Sequence, residues 1–192
     1  EDILTNKSYI EKGIVIDKLL QALIVTKINY DDLIVGDKNA IMIAARVLGY
    51  GKEYNFEYAG EVQTVDLSKM DNKPFDESFL VSKGKNEFLY TLPHTGTNLT
   101  YKILTGHDEK KIDAELEGLK KINKNVVPEL STRLKYIITS VGGDSENKTI
   151  RKFVDSMLAM DSRELRKHIN NTQPDVNLKF TPEGSSVEID VP

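Results

Sequence analysis

The stretch from Asp31 to Gly51, DDLIVGDKNAIMIAARVLGYG, carries the clearest structural signal in the chain. It predicts a helix over residues 37–48, in which the carboxylate of Asp37 is the N-cap that accepts free backbone N–H groups of the first turn. Gly49 is predicted to end this helix in a left-handed conformation. Because apolar residues occupy nearly every side of the segment, we expect a helix buried in a core or under a partner.

The composition is that of a folded globular protein. The chain has 192 residues, of which 39% are hydrophobic and 29% charged, enough for one domain or two small ones. Its 26 basic and 30 acidic residues give a net charge of −4, so we expect neither a nucleic-acid partner nor a membrane partner. The absence of cysteine excludes disulfides, iron–sulfur clusters and cysteine-based zinc sites.

The spacing of apolar residues predicts an α+β fold, a helical body with β-hairpins at about residues 52–67, 86–104 and 176–191. Five further helices are predicted at residues 14–25, 107–122, 128–141, 150–158 and 161–169. The last of these is expected to open at Asp161 with a capping-box pattern. The chain is predicted to be a single α+β domain of residues 1–192. A helical body (1–51, 107–173) with a β-hairpin subdomain (52–106, 174–192) is the alternative.

Motifs that carry chemistry are mostly missing. Gly49-Tyr50-Gly51 lacks the third glycine of a dinucleotide loop, and no serine stands in a nucleophile-elbow pattern. His107-Asp108 admits a metal ligand or general base, but a carboxylate in the first turn of a helix is the favoured interpretation. We therefore predict no enzyme, no catalytic, cofactor-binding or metal-binding residues, and no small-molecule substrate.

Two groups of residues are candidates for a protein interface. Arg46 is the lone guanidinium of the apolar helix, where it pairs with a buried carboxylate, extends its stem to the surface or meets a partner chain. A basic run containing Arg163 and Arg166 (with Lys167 and His168) is either a docking patch for an acidic partner or a set of cations near a helix C-terminus. The predicted interface residues are Ile41, Ala44, Arg46, Arg163 and Arg166.

Short blocks along the chain carry a family resemblance. They are Glu1-Asp2-Ile3-Leu4, Lys12-Gly13, Val15-Ile16-Asp17, Gly36-Asp37-Lys38-Asn39, Ala44-Ala45-Arg46, Gly49-Tyr50-Gly51, Leu104-Thr105-Gly106, Phe153-Val154 and Asp161-Ser162-Arg163. Together they resemble the baseplate hub subunits and hub assembly proteins of T-even-like contractile-tailed bacteriophages. The blocks follow the order of that family over nearly the whole chain.

This resemblance implies a structural or assembly component of the tail baseplate hub that acts through protein–protein interfaces. Its partners would be other tail and baseplate proteins, hub subunits or further copies of itself. It would reside in the virion, or in the host cytoplasm during assembly.

The sequence departs from the family at a zinc ribbon. Relatives often carry Cys-x-x-Cys knuckles in the hairpin after the Gly-Tyr-Gly block and again near the C-terminus. The corresponding residues here are Glu57-Tyr58-Ala59-Gly60 and Thr181-Pro182-Glu183-Gly184, so the first and last hairpins resemble a zinc ribbon that has lost its cysteines. The alternative function is a degenerate zinc-ribbon adaptor that binds a nucleic acid or a host factor, for which salt-sensitive binding in a gel shift would be diagnostic.

Overall fold

The computed structural model describes residues 3–11, 14–122, 128–182 and 184–192. Glu183 of the predicted last turn, and residues 1, 2, 12 and 13 of the resembling blocks, lie outside the described residues. Within this part the chain is α+β with β-hairpins, as predicted. The helices are α1 (Lys7–Glu11), α2 (Val15–Leu23), α3 (Val35–Tyr50), α4 (Gly106–Ile122), α5 (Glu129–Ile137), α6 (Asn147–Ser156) and α7 (Ala159–Thr172). The strands are β1 (Glu53–Tyr58), β2 (Glu61–Asp66), β3 (Phe88–Thr91), β4 (Asn98–Tyr101), β5 (Ile138–Val141), β6 (Lys179–Phe180) and β7 (Ile189–Asp190).

The chain divides into two compact units. Unit 1 consists of Glu1–Lys73 with Pro174–Pro192, and unit 2 consists of Pro74–Gln173. Each unit contains both helices and strands, so this division differs from the alternative in which a helical body (1–51, 107–173) and a hairpin subdomain (52–106, 174–192) separate. The reason is that every hairpin buries its apolar face against elements of its own unit.

In unit 1, the first and last hairpins share an apolar cluster. Strands β1 and β2 pair from Glu53↔Asp66 to Tyr58↔Glu61, and β6 pairs with β7 in a two-residue ladder. The buried residues of the cluster are Phe56, Val65, Leu67 and Val191, with Ile43, Val47, Tyr54, Met70, Leu178, Phe180 and Ile189 packed against them. The rings of Phe56 and Phe180 meet edge to face with their centroids 5.9 Å apart. Packing of side chains from both hairpins therefore joins them.

In unit 2, strands β3, β4 and β5 form an antiparallel sheet in that order. The most buried side chains include Leu92, Leu99, Tyr101, Ile112 and Leu165, which come from strands, a turn and two helices. The prediction of one helix over residues 128–141 is wrong beyond residue 137. Residues 138–141 pair with β4 instead, in the register Leu99↔Val141 and Thr100↔Ser140, which suits the β-branched run that begins there.

The start of α7 also differs from the prediction. The helix begins at Ala159, which places Asp161 in its first turn rather than at its N-cap. The Asp161 side chain is fully buried and accepts the backbone N–H groups of His94 at 3.0 Å and Thr95 at 3.2 Å. Its local capping role is therefore replaced by a long-range one, because these bonds fix the β3–β4 turn against α7.

Candidate interaction surfaces

Helix α3 begins earlier than its sequence predicts. Ile34 occupies the N-cap position, and Asp37 is the third helical residue. The prediction of Asp37 as the N-cap is therefore wrong, although its carboxylate still accepts the Ile34 backbone N–H at 3.2 Å. Gly36 allows this start, since a Cβ there would lie 2.1 Å from the carbonyl oxygen of Pro174. The helix N-terminus thus packs closely on the backbone of the C-terminal segment of unit 1.

The other end of α3 extends past Gly49. That glycine is helical, and the helix continues to Tyr50, so the prediction that Gly49 ends it is wrong. Gly51 performs this role with a φ of +87°, and its N–H donates to the carbonyl of Val47 at 3.0 Å. A glycine is favoured there because a positive φ strains residues that carry a Cβ.

The prediction that α3 is buried in the core of this chain is wrong, whereas its burial under a partner stays a prediction. Gly36 is the one fully buried residue of α3. Ile43 and Val47 pack on the hairpin cluster, whereas Leu48 and Tyr50 are 88% and 81% exposed. Composition predicts that a helix is apolar, but the neighbouring elements determine which sides are covered.

An exposed apolar stripe, formed by Ala40, Ala44 and Leu48, runs along one side of α3. These residues are four positions apart and therefore lie in one row on the helix surface. All three are exposed and line a groove of about 410 Å³, whose other wall includes Met70 and Val176. A second apolar groove of about 240 Å³ lies next to it, lined by Met42 and Arg46, and Ile43 lines both grooves. We call the three residues the α3 stripe.

The structure places Arg46 against its own unit, while its contact with a partner chain stays a prediction. Its Nη1 donates to the carbonyl oxygen of Gly51 at 3.2 Å, and its guanidinium lies 5.0 Å and 5.9 Å from the ring centroids of Tyr50 and Tyr54. The guanidinium thus contacts a carbonyl and two aromatic rings, where the first alternative required a buried carboxylate. Arg46 therefore extends along its own unit, where it binds a carbonyl beyond the helix C-terminus and stacks on two aromatic rings.

The predicted interface residues are divided between the two units. Ala44 lines the larger groove beside α3, Arg46 lines the smaller one, and Ile41 is half-buried. Arg163 and Arg166 belong to α7 in unit 2, and both are exposed. Arg166 lines a separate groove of about 430 Å³ between α5, α6 and α7.

Asp108 has a structural partner for each of its carboxylate oxygens. Oδ1 accepts a hydrogen bond from Lys102 Nζ at 2.6 Å, and Oδ2 accepts the Thr105 N–H at 3.2 Å. Burial acts to raise the pKa of this carboxyl, but the bonds from Lys102 and Thr105 outweigh it and leave the pKa below its ordinary value. Asp108 lies in the first turn of α4, which confirms the favoured interpretation of His107-Asp108 for the carboxylate.

The prediction that places His168 in the exposed basic run is wrong. Its ring does not belong to the exposed basic run, because it stacks on Tyr90 with centroids 4.2 Å apart and meets Phe79 and Tyr101 edge to face. Its Nε2 is buried without a hydrogen-bond partner, and burial lowers the pKa of the imidazole. The signal in the sequence was the spacing of His168 from Leu165 and Thr172, which places it on the inner side of α7.

Comparisons of the chain with protein-family models, with curated proteins and with solved structures found no match. In the described ranges, no group of three or more histidine, aspartate or glutamate side chains is placed to hold a metal ion. No helix in this part of the chain is long and apolar enough to cross a membrane.

Proposed function

We propose that this chain is a structural or assembly component of the baseplate hub of a contractile-tailed bacteriophage. It acts without catalysis, through protein–protein interfaces, and the α3 stripe in unit 1 is the first of these. The observation that carries the proposal is an apolar helix that is left uncovered along the groove beside Ala44 and Leu48.

The physical reason is the cost of leaving this surface in water. Burial of apolar area contributes about 25 cal/mol per Å², and Leu48 alone is 88% exposed beside a ready-made groove. Contiguous apolar patches on a folded protein mark interaction sites, and permanent assembly interfaces are more apolar than transient ones. A hub partner that covers the α3 stripe would therefore complete the burial that the amino-acid composition of this helix predicts.

The test uses a double substitution on the stripe, Ala44→Arg with Leu48→Asp, in the full-length chain. Both positions are exposed, so the variant should fold with an unchanged circular-dichroism spectrum. The matched control is Ala114→Arg, which places the same cation on an exposed alanine of α4. Affinity-tagged protein is recovered from cells infected by the phage that encodes it, and co-purifying tail proteins are identified by mass spectrometry.

We expect the wild type and the Ala114→Arg control to recover the same baseplate proteins, and the double variant to lose them. Recovery of these proteins at wild-type levels by a folded double variant would refute the role of the stripe. Absence of any tail protein from the wild-type sample would refute the hub proposal as a whole. Detection of the chain in purified virions distinguishes a permanent subunit from an assembly factor that acts in the host cytoplasm.

A further inference from the structure

The strongest unexplained surface of unit 2 is the groove between its last three helices. It has a volume of about 430 Å³ and is lined by Leu130, Leu134, Val154, Met157, Ala159 and Arg166, among others. We call it the α5–α7 groove. Its floor is apolar. The exposed side chains of Leu158, the N-cap residue of α7, and of Met160, in the first turn, flank the lining residue Ala159 in the sequence. Such a groove matches the apolar side of an amphipathic helix, whose anchors recur at every third or fourth residue.

One rim of the groove is positively charged. Arg166 lines the groove itself, while Arg163 lies three residues before it on the same exposed flank of α7 and Lys167 lies four residues after Arg163. The described hydrogen bond of Arg166 runs from Nε to the carbonyl of Ser162 at 3.2 Å, which leaves the outer end of its guanidinium pointing away from that bond.

One carboxylate, that of Glu129, lines the groove together with Arg166. The carboxylate of Asp161 is fully buried and binds the N–H groups of the β3–β4 turn. Glu129 belongs to α5 rather than to the α7 rim, and it binds Nε of Arg133 at 3.3 Å, while Arg133 also pairs with Glu109 at 2.9 Å. Glu164 is two residues from Ser162, a spacing that directs it away from the side of α7 that lines the groove.

The net charge of unit 2 is also positive. Residues 74–173 contain 16 lysines and arginines against 14 aspartates and glutamates, a net charge of +2, whereas the rest of the chain carries −6. The first turns of α5 and α7 border the groove, and neither helix has a side-chain cap. Each first turn also carries an acidic residue, Glu129 in α5 and Asp161 in α7, which offsets part of the positive potential of the helix dipole.

From the apolar floor and the cationic rim, we infer that the α5–α7 groove binds an amphipathic helix of a partner protein whose flank is acidic. The apolar side of that helix covers Leu130 and Met157, and its carboxylates pair with Arg163 and Arg166. The rim charges select the partner and accelerate its association, while the apolar floor supplies most of the affinity. This inference concerns unit 2 alone and does not depend on the baseplate proposal.

The test uses three synthetic peptides of about 18 residues, a length that allows partial helicity in water. They share one leucine stripe, and their flanks carry glutamate, glutamine or lysine. Binding to the full-length chain is measured by fluorescence anisotropy, and amide NMR shifts locate the site. We expect the glutamate peptide to bind at the groove about tenfold or more tightly than the lysine peptide, with the glutamine peptide between them.

The double charge reversal Arg163→Glu with Arg166→Glu should invert this order. Lys83→Glu with Lys85→Glu is the control, since it makes the same charge change at exposed positions elsewhere in unit 2 and should leave the order unchanged. Leu130→Asp, on the floor, should weaken all three peptides together.

Three outcomes would overturn the inference. In the first, the three peptides bind equally or not at all at millimolar concentration. In the second, the lysine reversal changes the order of peptide affinities as much as the arginine reversal does. In the third, the amide NMR shifts fall outside the α5–α7 groove. Sedimentation velocity tests whether a second copy of this chain occupies the groove. Self-association of the wild type that the arginine reversal abolishes would identify a second copy of this chain instead of an acidic partner helix.

Discussion

The ion pair of Glu115 and Arg151 predicts a measurable acid sensitivity of unit 2. Arg151 binds the carboxylate with both terminal nitrogens, at 2.7 and 2.6 Å, and the hydroxyl of Tyr136 donates to the same group at 2.9 Å. Three helices, α4, α5 and α6, therefore meet at one carboxylate. The hydrogen bonds from Arg151 and Tyr136 outweigh the effect of burial and hold the pKa of Glu115 at about 2, down from 4.5.

The size of the effect on stability follows from this shift in the pKa of Glu115. One pH unit corresponds to 1.36 kcal/mol, so a shift from 4.5 to about 2 sets an upper bound of roughly 3.4 kcal/mol. The Glu115 and Arg151 side chains are 22% and 36% exposed, and solvent screening reduces the value to about 1.5–2 kcal/mol. Because the folded-state pKa is lowered, this stabilisation is complete above pH 4.5 and is lost as the pH falls towards 2.

The perturbation is Glu115→Gln, which keeps the shape of the side chain and removes its charge. Urea unfolding is followed by the amide NMR signals of unit 2 at several pH values between 7 and 2, because a chain with two units has no single unfolding free energy. At pH 7 we expect the variant to lose about 1.5–2 kcal/mol in the free energy of unfolding. At pH 2 the variant and the wild type should converge.

The matched control is Glu129→Gln, which removes the same charge from a carboxylate of unit 2 that is 63% exposed. Its cost should stay below about 0.5 kcal/mol at every pH. The reasoning fails if Glu115→Gln costs no more than Glu129→Gln at pH 7. It also fails if the difference from the wild type is the same at pH 2 as at pH 7.

Four further substitutions test the backbone and the aromatic cluster. Gly36→Ala should destabilise unit 1 by about 2 kcal/mol or more in urea unfolding, because its Cβ would meet the Pro174 carbonyl; Gly49→Ala, in open space on the same helix, should stabilise it by about 0.5–1 kcal/mol, and equal effects would contradict the packing. Ala59 has a φ of +53° in the two-residue turn of the first hairpin, so Ala59→Asn should raise the melting temperature of unit 1, whereas a lower one would disprove the turn conformation. Burial lowers the pKa of His168, so the stability of unit 2 should fall as the pH drops below 6.5, and His168→Phe should remove this dependence between pH 7 and 5; a variant that keeps it in thermal melts would locate the titration elsewhere.

Local patterns in the sequence were sufficient for the hairpins. Strands β1 and β2 alternate in hydrophobicity, and the Ala59–Gly60 turn between them has two positive φ values, as two-residue hairpin turns require. The proline and glycine between β3 and β4 marked the second turn equally well. These signals lie within a few residues of the structure they specify, which is why the sequence reveals them.

Signals that depend on distant partners were not visible. The apolar spacing from Leu134 to Val141 suits a helix, yet β5 forms because β4, about forty residues earlier, offers a free edge. Likewise, Asp161 has the spacing of a helix cap, but its partners are the N–H groups of His94 and Thr95. Helix type and position can be predicted from neighbours in the sequence, whereas pairing and burial depend on which elements later meet.

The candidate interface residues show the same difference between local signals and contacts with distant partners. The apolar character of α3 and the basic run of α7 were predicted from composition alone. Composition did not predict which side of α3 is exposed. Ile43 and Val47 pack on the hairpin cluster, and Leu48 is therefore left exposed. His168 shares a run with Arg166 in sequence and yet stacks on Tyr90, because adjacent side chains on a helix point in different directions.

The interrupted sequence of unit 1 determines the order in which the protein can fold. Val191 completes a cluster that begins at Phe56, and the Lys73 N–H donates to the Asp175 carbonyl at 2.8 Å, although the sequence of unit 2 separates these two residues. On the ribosome, residues 74–173 emerge as one continuous piece and can reach their native contacts first. Until residues 174–192 follow, Phe56 and Val65 have no partner from the last hairpin, so unit 1 can complete its apolar cluster only after unit 2 has been synthesised.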